Sequence, residues 1–466
     1  MASPKDDLKA RFVGQSLHDV PVPSIVLDLA KVEVNCQRML DAAQSLGLLF
    51  RAHIKTHKTT ELTRLQLSPS PTTPALLIGS TLQDLESILP LLLSHLALSR
   101  PTNILLGFPV FPSSLPRLTA LSAALGPTAS LSLLIDNPSQ LPLLASLPYP
   151  PLIYLKIDAG TARAGVPPSS AACSALVAAA VAAEREGTVV FHGLYCHAGH
   201  SYGARRKWTD ALRFLGDELR TVLAVARTTG RKGGLVLSVG ATPTASGMQH
   251  PGLLDAEGGG GEEEEEEVGV VRALLQEIKS EGWIGEVHAG VYPTLDLQQL
   301  ATHARDSSLL TADDIAVSVL AEVASVYPSR NPAGTTEALI TAGSLALGRE
   351  PVADKGVPPG LDYAGWGLLM PWGPALAGKQ PALPPGGFPR AHDGWQVGRI
   401  SQEHGILTWR GRPEDEVPLA AGDRVRVWPN HSCIAGAGFD YYLVVDGRRA
   451  GREDEVVDVW VRWRGW

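Results

Sequence analysis

Cysteine is scarce in this 466-residue chain: Cys36, Cys173, Cys196 and Cys433 are all there is, and they are scattered. Such usage excludes a disulfide framework and fits a reducing compartment. Long hydrophobic runs are missing too. The nearest candidate, residues 89–98, is broken by Pro90, Ser94 and His95 and is short of the about 20 apolar residues of a spanning helix. An excess of positive charge is also absent. The formal charge is −8; six of the negative charges are the glutamates of residues 262–267, which leaves −2 for the rest. That near-neutral remainder argues against nucleic acid as a partner. The first residues, Met1-Ala2-Ser3-Pro4-Lys5-Asp6-Asp7, are too charged for a signal peptide. The last, Arg462-Trp463-Arg464-Gly465-Trp466, match no targeting signal of that end. The expectation is a cytoplasmic protein with no membrane partner.

What is present describes a soluble globular chain, 44% hydrophobic and 19% charged, with length enough for two domains. Eight apolar, strand-like runs recur, at residues 48–55, 75–78, 103–106, 131–135, 152–157, 189–196, 235–239 and 284–287. Each is followed by enough chain for a return helix. The pattern predicts an α/β protein built on a (β/α)8 TIM-type barrel; a doubly wound open sheet has the same periodicity and competes with it. Residues 24–28 predict one more short strand, followed by helical spacing over 29–46. Past about residue 310 the texture changes. Short strands are predicted at 317–326, 338–342, 396–400, 405–409, 424–428, 441–445 and 456–463, with Gly and Pro clusters at 356–360 and 381–389. The expected organisation is therefore an N-terminal segment 1–22 joining the β domain, a barrel over 23–312, and a C-terminal β-rich domain over 313–466. The glycines 258–261 and glutamates 262–267 read as a disordered acidic surface insertion near 256–268, with a cation site as the other reading.

Chemistry-bearing residues gather at the predicted strand ends. In Arg51-Ala52-His53-Ile54-Lys55-Thr56-His57-Lys58, strand alternation puts Arg51, His53, Lys55 and His57 on one face. Four such groups repel unless an anion sits among them, which a phosphorylated cofactor would supply; a solvated basic strand would show the same spacing. In a barrel, function collects at the C-terminal strand ends, and phosphate is often held after strands seven and eight. Those ends carry Asp158-Ala159-Gly160-Thr161-Ala162-Arg163, the stretch Tyr195-Cys196-His197 through Tyr202, Gly240-Ala241-Thr242-Pro243, and His288-Ala289-Gly290-Val291. The glycine-containing turns among them offer backbone N–H groups to a phosphate. A second constellation is Pro429-Asn430-His431-Ser432-Cys433. On an extended segment His431 and Cys433 point the same way, and imidazole with thiolate suits zinc. A buried cysteine beside a satisfied histidine would look alike, and two ligands are fewer than the usual three. His404 reads as a structural histidine.

At these residues the sequence resembles the D-serine dehydratase and D-threonine aldolase family, which shares the alanine racemase-type barrel of fold III pyridoxal phosphate enzymes. The matching motifs are Arg51-x-His53-x-Lys55-Thr56-His57-Lys58, Asp158-x-Gly160-x-x-Arg163-x-Gly165, Gly193-Leu194-Tyr195-x-His197-x-Gly199-His200-Ser201-Tyr202, Gly240-x-Thr242-Pro243 and Pro429-Asn430-His431-x-Cys433. The resemblance implies pyridoxal 5′-phosphate and Zn2+ as cofactors. It implies that Lys55 joins the cofactor as a Schiff base and that Tyr195 faces the pyridine nitrogen. Arg163 would lie near the ring, while Tyr202, Thr242, Gly290 and Val291 would line the phosphate. His431 and Cys433 would hold zinc. Family aldolases tend to place aspartate where Cys433 stands, so the expected enzyme is a carbon–nitrogen lyase acting on D-serine. Three departures stand out: Ala52 for a usual proline, Val291 for a common asparagine, and Thr341 for a common aspartate. The last leaves substrate choice more open. A D-threo-3-hydroxyaspartate dehydratase, a D-threonine aldolase and a non-enzymatic cofactor carrier are the alternatives. The resemblance also implies a homodimer.

Overall fold

The computed structural model describes residues 5–128, 130–254, 261–305, 310–352, 365–379 and 393–466. The chain divides into two compact units, one made of residues 37–290 and 463–466, the other of 1–36 and 291–462. This differs from expected boundaries at 23 and 312, and strand pairing is the reason. The strand β1 (Ser24–Asp28) pairs antiparallel with β10 (Val317–Tyr327) and parallel with β16 (Tyr441–Val445), all in the second unit.

The first unit is a closed parallel barrel of β2 (Leu49–His53), β3 (Ala75–Gly79), β4 (Thr102–Pro109), β5 (Leu131–Ile135), β6 (Leu152–Ile157), β7 (Val190–Cys196), β8 (Val236–Val239) and β9 (Ile284–Ala289). These are the eight predicted runs, and β2 pairing with β9 closes the ring, with Arg51 opposite His288. Parallel strands covered on both faces read as near-continuous apolar segments; β3 and β5 are buried at every residue. Helices follow with recognisable starts. Thr81 and Asp84 form a reciprocal capping box at Leu82–Ala97, which satisfies two otherwise orphaned donors.

The acidic run is not a disordered insertion. Residues 262–267 open the 19-residue helix Glu262–Ser280, which buries Val268, Val271, Leu274 and Ile278. Glutamates in a first turn are stabilised by the positive end of the helix dipole. Glu264 also lies 2.7 Å from His250 Nε2 and Glu263 2.7 Å from Arg206. Acidic repulsion is thus offset by the dipole and by these cross-element contacts. Glycines 258–260 lie outside the described residues, as do the Gly and Pro clusters at 356–360 and 381–389.

The barrel interior sets a polar layer beside an apolar cluster of Ile78, Leu105, Leu134, Tyr154, Tyr195 and Val236. Arg51, 1% exposed, bonds Glu286 (2.8 Å), Asn103 (2.7 Å), Tyr154 (3.0 Å) and the Leu77 carbonyl (3.3 Å). Burial opposes the Arg51 charge, but Glu286 and Tyr154 more than reverse that and hold the guanidinium firmly protonated.

The second unit is a nine-stranded sheet in the order β11-β14-β13-β12-β15-β10-β1-β16-β17, with β11 (Glu337–Ile340) returning to β10. That extra pairing closes β10, β11, β14 (Gly405–Trp409), β13 (Trp395–Ile400), β12 (Gly367–Leu369) and β15 (Arg424–Pro429) into a ring. Strand β12 has no counterpart among the predicted strands; it has three residues, one of them Gly367. Strand β17 (Asp458–Val461) ends before Trp463, which turns away so that its N–H meets the Lys58 carbonyl at 2.8 Å in the barrel unit. The N-terminal helix Lys5–Phe12 sends Leu8 and Phe12 into one core with Leu17, Val20, Val26, Leu320, Leu443 and Val459.

Removing one partner of a buried ion pair leaves an uncompensated charge, at a cost of roughly 3–5 kcal/mol. Arg51→Met should destabilise the barrel by about that much, whereas Arg51→Met with Glu286→Leu should recover most of it. Denaturant titration followed by circular dichroism reads both; equal loss in the single and double variants would contradict the pairing.

Candidate active site

Strand β2 ends at His53, and the chain turns through residues 55–57, leaving half-buried Lys55 just past the C-terminal strand end. The turn is held from several sides. Lys58, in the left-handed region at φ 51°, donates its N–H to the Ile54 carbonyl (3.0 Å) and its ammonium to Asp84 Oδ1 (2.8 Å). The shared-face expectation fails beyond His53 because the strand stops there. His57 is fully buried between Thr59 Oγ1 (3.1 Å) and Gln66 Oε1 (2.9 Å) at the next helix.

Inside the same barrel, the Tyr195 ring stacks on His288 with centroids 4.1 Å apart, and Lys156 Nζ lies 4.9 Å from the Tyr195 centroid. Burial pushes the Tyr195 hydroxyl up, so it stays a phenol able to donate. Burial pulls the Lys156 ammonium down. His53, His197 and His288 all lie well below the ordinary histidine range, first through burial and then through neighbouring Lys55, Lys156 and one another. Three neutral imidazoles therefore line this end of the barrel. His197 Nδ1 must carry its proton, because its partner at 2.7 Å is the Gly240 carbonyl, which only accepts. His288 Nδ1 meets Ser238 Oγ at 3.0 Å, while its buried Nε2 has no hydrogen-bond partner among the described residues. Arg163 is exposed on the turn after β6, and its charge bears on Lys156, Tyr195 and His197. Asp158 shapes that turn by accepting from the Gly160 and Ala162 N–H groups at 3.0 and 3.1 Å.

A cradle forms after β7, β8 and β9. Gly240 has φ 143°, and a Cβ there would lie 2.1 Å from the His288 carbonyl oxygen, so the turn admits only glycine. It leads into the short helix Thr242–Gly247, whose buried Thr242 Oγ1 accepts from Gly290 N at 3.4 Å. Against this helix packs the 3-10 turn Gly199–Gly203, which carries half-buried Tyr202 and the fully buried Ser201. Ser201 Oγ has no hydrogen-bond partner among the described residues. An orphaned hydroxyl between glycine turns fits an anionic oxygen, so the residues present suit a phosphate group. The Gly290 backbone closely approaches His53, with a Cβ there 3.2 Å from the His53 Cβ. Val291 is the next residue in the chain, buried, and falls in the second unit.

In that second unit, His431 is extended and caps the helix Ser432–Ala437, with Cys433 in its first turn. A helix start, not alternation along a strand, brings imidazole and thiol into hydrogen-bond contact. Behind them, fully buried Asp296 places Oδ2 3.3 Å from His431 Nδ1, a charge contact rather than a well-directed hydrogen bond, and accepts from Ser432 N at 2.9 Å. Burial opposes a charged His431, but Cys433 and Asp296 overcome it and push the imidazole up to about 11. The pocket attracts positive charge. A carboxylate behind one histidine nitrogen, leaving the other for a metal, is a common outer arrangement of zinc sites, so this donor set fits the ion. Among the described residues no group of three or more His, Cys, Asp or Glu side chains is arranged to hold a metal ion.

Sequence reasoning assigned no role to Lys156, Ser201, Glu218, His288 or Asp296. Glu218 and Asp296 carry no local motif. Lys156 sits beside a quoted motif and His288 opens a quoted stretch, where strand alternation into the barrel was the available signal.

A parallel barrel closed by β2 and β9, with a lysine at the first strand end and glycine turns at the last, has the alanine racemase-like (β/α)8 fold. A solved ala racemase-like protein from Idiomarina loihiensis superposes with a TM-score of 0.69 at 24% identity, covering 97% of this chain and 99% of its own. The family described as "Putative serine dehydratase domain" matches residues 316–445. D-serine dehydratase of Schizosaccharomyces pombe is 36% identical over 474 residues, 99% of this chain and 96% of that protein. D-threo-3-hydroxyaspartate dehydratase of Delftia sp. HT23 is 26% identical over 97% of this chain and 99% of that protein. The chain belongs to the D-serine dehydratase family, and it is a lyase of the ammonia-lyase type. Among the described residues no helix is long and apolar enough to cross a membrane.

Gly240→Ala should force the turn away from His288 at a cost of roughly 2–4 kcal/mol. Thermal unfolding measures it; an unchanged midpoint would show that the turn relaxes freely.

Proposed function

We propose that the chain is a D-serine ammonia-lyase that uses pyridoxal 5′-phosphate and zinc, converting D-serine to pyruvate and ammonia. The observation that carries the reading is one barrel end holding both a strand-end amine, Lys55, and a cradle built from Ser201, Gly240, Thr242 and Gly290 with an unsatisfied hydroxyl. Lys55 would join the cofactor, Tyr195 would face its ring nitrogen, and Arg163 would lie near the ring. Tyr202, Thr242, Gly290 and the Val291 N–H hold the phosphate. His431 and Cys433 hold zinc. When bound, pyridoxal phosphate supplies an electron sink for the Cα carbanion and zinc supplies a Lewis acid for a departing hydroxyl.

Within the chain, Lys55 is the base that takes the Cα proton. A single amine reaching Cα from one face selects one enantiomer, which accounts for the D preference. Three neutral histidines at this barrel end leave positive charge to the lysines and Arg163, which attracts the substrate carboxylate and the cofactor phosphate. The Delftia relative supports a second reading with the same residues, in which the substrate is D-threo-3-hydroxyaspartate. Cys433, where family aldolases tend to carry aspartate, speaks against retro-aldol cleavage of D-threonine. His431 and Cys433 would be superfluous in a non-enzymatic cofactor carrier. The assembly expected from the family is a homodimer, which sedimentation velocity tests.

Lys55→Ala should lower pyruvate release on the order of 10²–10⁴-fold or more and remove the protein-attached cofactor absorbance. Turnover surviving that change would end the reading. Chelation should stop elimination and leave the cofactor absorbance in place. Asp296→Asn should weaken zinc about 10–100-fold in equilibrium dialysis, and zinc binding unaffected by that change would remove Asp296 from the metal site. A panel of D-3-hydroxy amino acids separates the two substrate readings, the larger kcat/KM deciding.

A further inference from the structure

Glu218 stands in the middle of the helix Thr209–Thr228, fully buried, in a position where a core leucine would be ordinary. Burying a carboxylate is costly unless donors surround it, and this one has three. Oε1 accepts from Ala198 N at 2.6 Å and from Gly240 N at 3.2 Å; Oε2 accepts from Thr244 Oγ1 at 2.8 Å. The donors come from three separate segments: the chain leaving β7, the turn leaving β8, and the short helix Thr242–Gly247. These are the segments that bring Ser201, Tyr202 and Thr242 together. Gly240 is gripped on both sides of its residue, its N–H by Glu218 and its carbonyl by His197. Thr244 Oγ1 in turn receives the Ala241 N–H at 2.8 Å, so the start of the helix is tied to the same carboxylate through one hydroxyl. Burial pushes the Glu218 carboxyl up to about 7, against the pull of Thr244, Ala198, Gly240 and nearby Lys156.

We infer that Glu218 is a positioning residue that sets the geometry of the phosphate cradle by fastening the β7 exit, the β8 exit and the short helix to one helix of the barrel. The inference rests on the cofactor reading above. Both carboxylate oxygens are occupied by these donors, so Glu218 acts through Gly240, Ala198 and Thr244 and does not itself touch the ligand. A cradle set in this way favours the phosphorylated cofactor over the same ring without its phosphate. The ratio of those two affinities is what the residue controls, and a general loss of stability does not move that ratio.

The test measures dissociation constants of the full chain for pyridoxal 5′-phosphate and for pyridoxal, by absorbance titration, in the wild type, Glu218→Gln and Thr244→Val. Glutamine keeps the shape but turns an amide N–H toward one set of donors. Affinity for pyridoxal 5′-phosphate should fall about 10–100-fold, as expected for one or two hydrogen bonds to a charged group. Affinity for pyridoxal should change by less than about 3-fold. Thr244→Val removes one tie and should shift the ratio in the same direction by about 3–10-fold; it decides the matter if Glu218→Gln fails to fold. Wild type that discriminates, with variants that lose both ligands equally or neither, overturns the inference while sparing the cofactor reading. Wild type that does not prefer the phosphorylated ligand sinks the cofactor reading and this inference with it.

Discussion

One guanidinium governs the interior of the barrel. Arg51 on β2 reaches the Leu77 carbonyl of β3, Asn103 of β4, Tyr154 of β6 and Glu286 of β9, and so joins five of the eight strands through a single side chain. Asn103 passes the contact on to Ser132 of β5 at 2.9 Å. A barrel filled only by aliphatic layers would be indifferent to which strand met which at this level. Here the polar groups must meet their partners, because an unpaired buried charge costs several kcal/mol. Register is thereby specified at the seam where β2 meets β9. On β9, His288 lies two residues beyond Glu286 on the same inward face, and the strand offset that satisfies Arg51 also sets the His288 ring against Tyr195.

Above that layer, the physical problem changes from pairing charges to limiting them. Lys55, Lys156 and Arg163 bring positive charge to one end of the barrel, and three histidines stand among them. Were those imidazoles to ionise, they would add to the positive charge already gathered there. Burial prevents it, with Lys55 and Lys156 adding to the effect. The hydrogen bonds agree: His197 spends its one proton on the Gly240 carbonyl, and a neutral ring needs no more. Neutral imidazoles then provide polar, uncharged walls. The same logic explains why a buried carboxylate, Glu218, is tolerated close by: Lys156 offsets it and three donors solvate it.

How much of this was legible in the sequence depended on whether the signal was local. The eight barrel strands were readable because strands covered on both faces must be apolar throughout. Lys55, Tyr195, Thr242 and Gly290 could be singled out because family motifs carry them, and all four lie on or just past barrel strands. Reading His57 onto the Lys55 face failed, since alternation holds only while a strand lasts and β2 stops at His53. The glutamate run misled for a related reason. Composition alone suggests self-repulsion, yet Val268, Val271, Leu274 and Ile278 follow at helical spacing and bury one face of the helix Glu262–Ser280. Glu218 and Asp296 were invisible because a buried carboxylate is defined by donors that come from elsewhere in the chain, and no window of sequence contains them.

Asp296 gives the two-residue motif an orientation that its spacing alone does not supply. His431 and Cys433 alone are an ordinary pair, and an isolated imidazole beside a thiol has no reason to stay oriented. Asp296 caps the helix Leu297–Ala301 with Oδ1 on Gln299 N at 2.9 Å, while Oδ2 takes Ser432 N and faces His431. One carboxylate thus fixes two helix starts and the ring between them. With Nδ1 turned to that carboxylate, Nε2 is the nitrogen left to a ligand, and the thiol lies within hydrogen-bond reach of the same ring. Negative charge behind an imidazole also raises its basicity toward a metal. What the H-x-C spacing supplies is therefore only the pair of side chains; their fixed orientation comes from a residue 135 positions earlier in the chain.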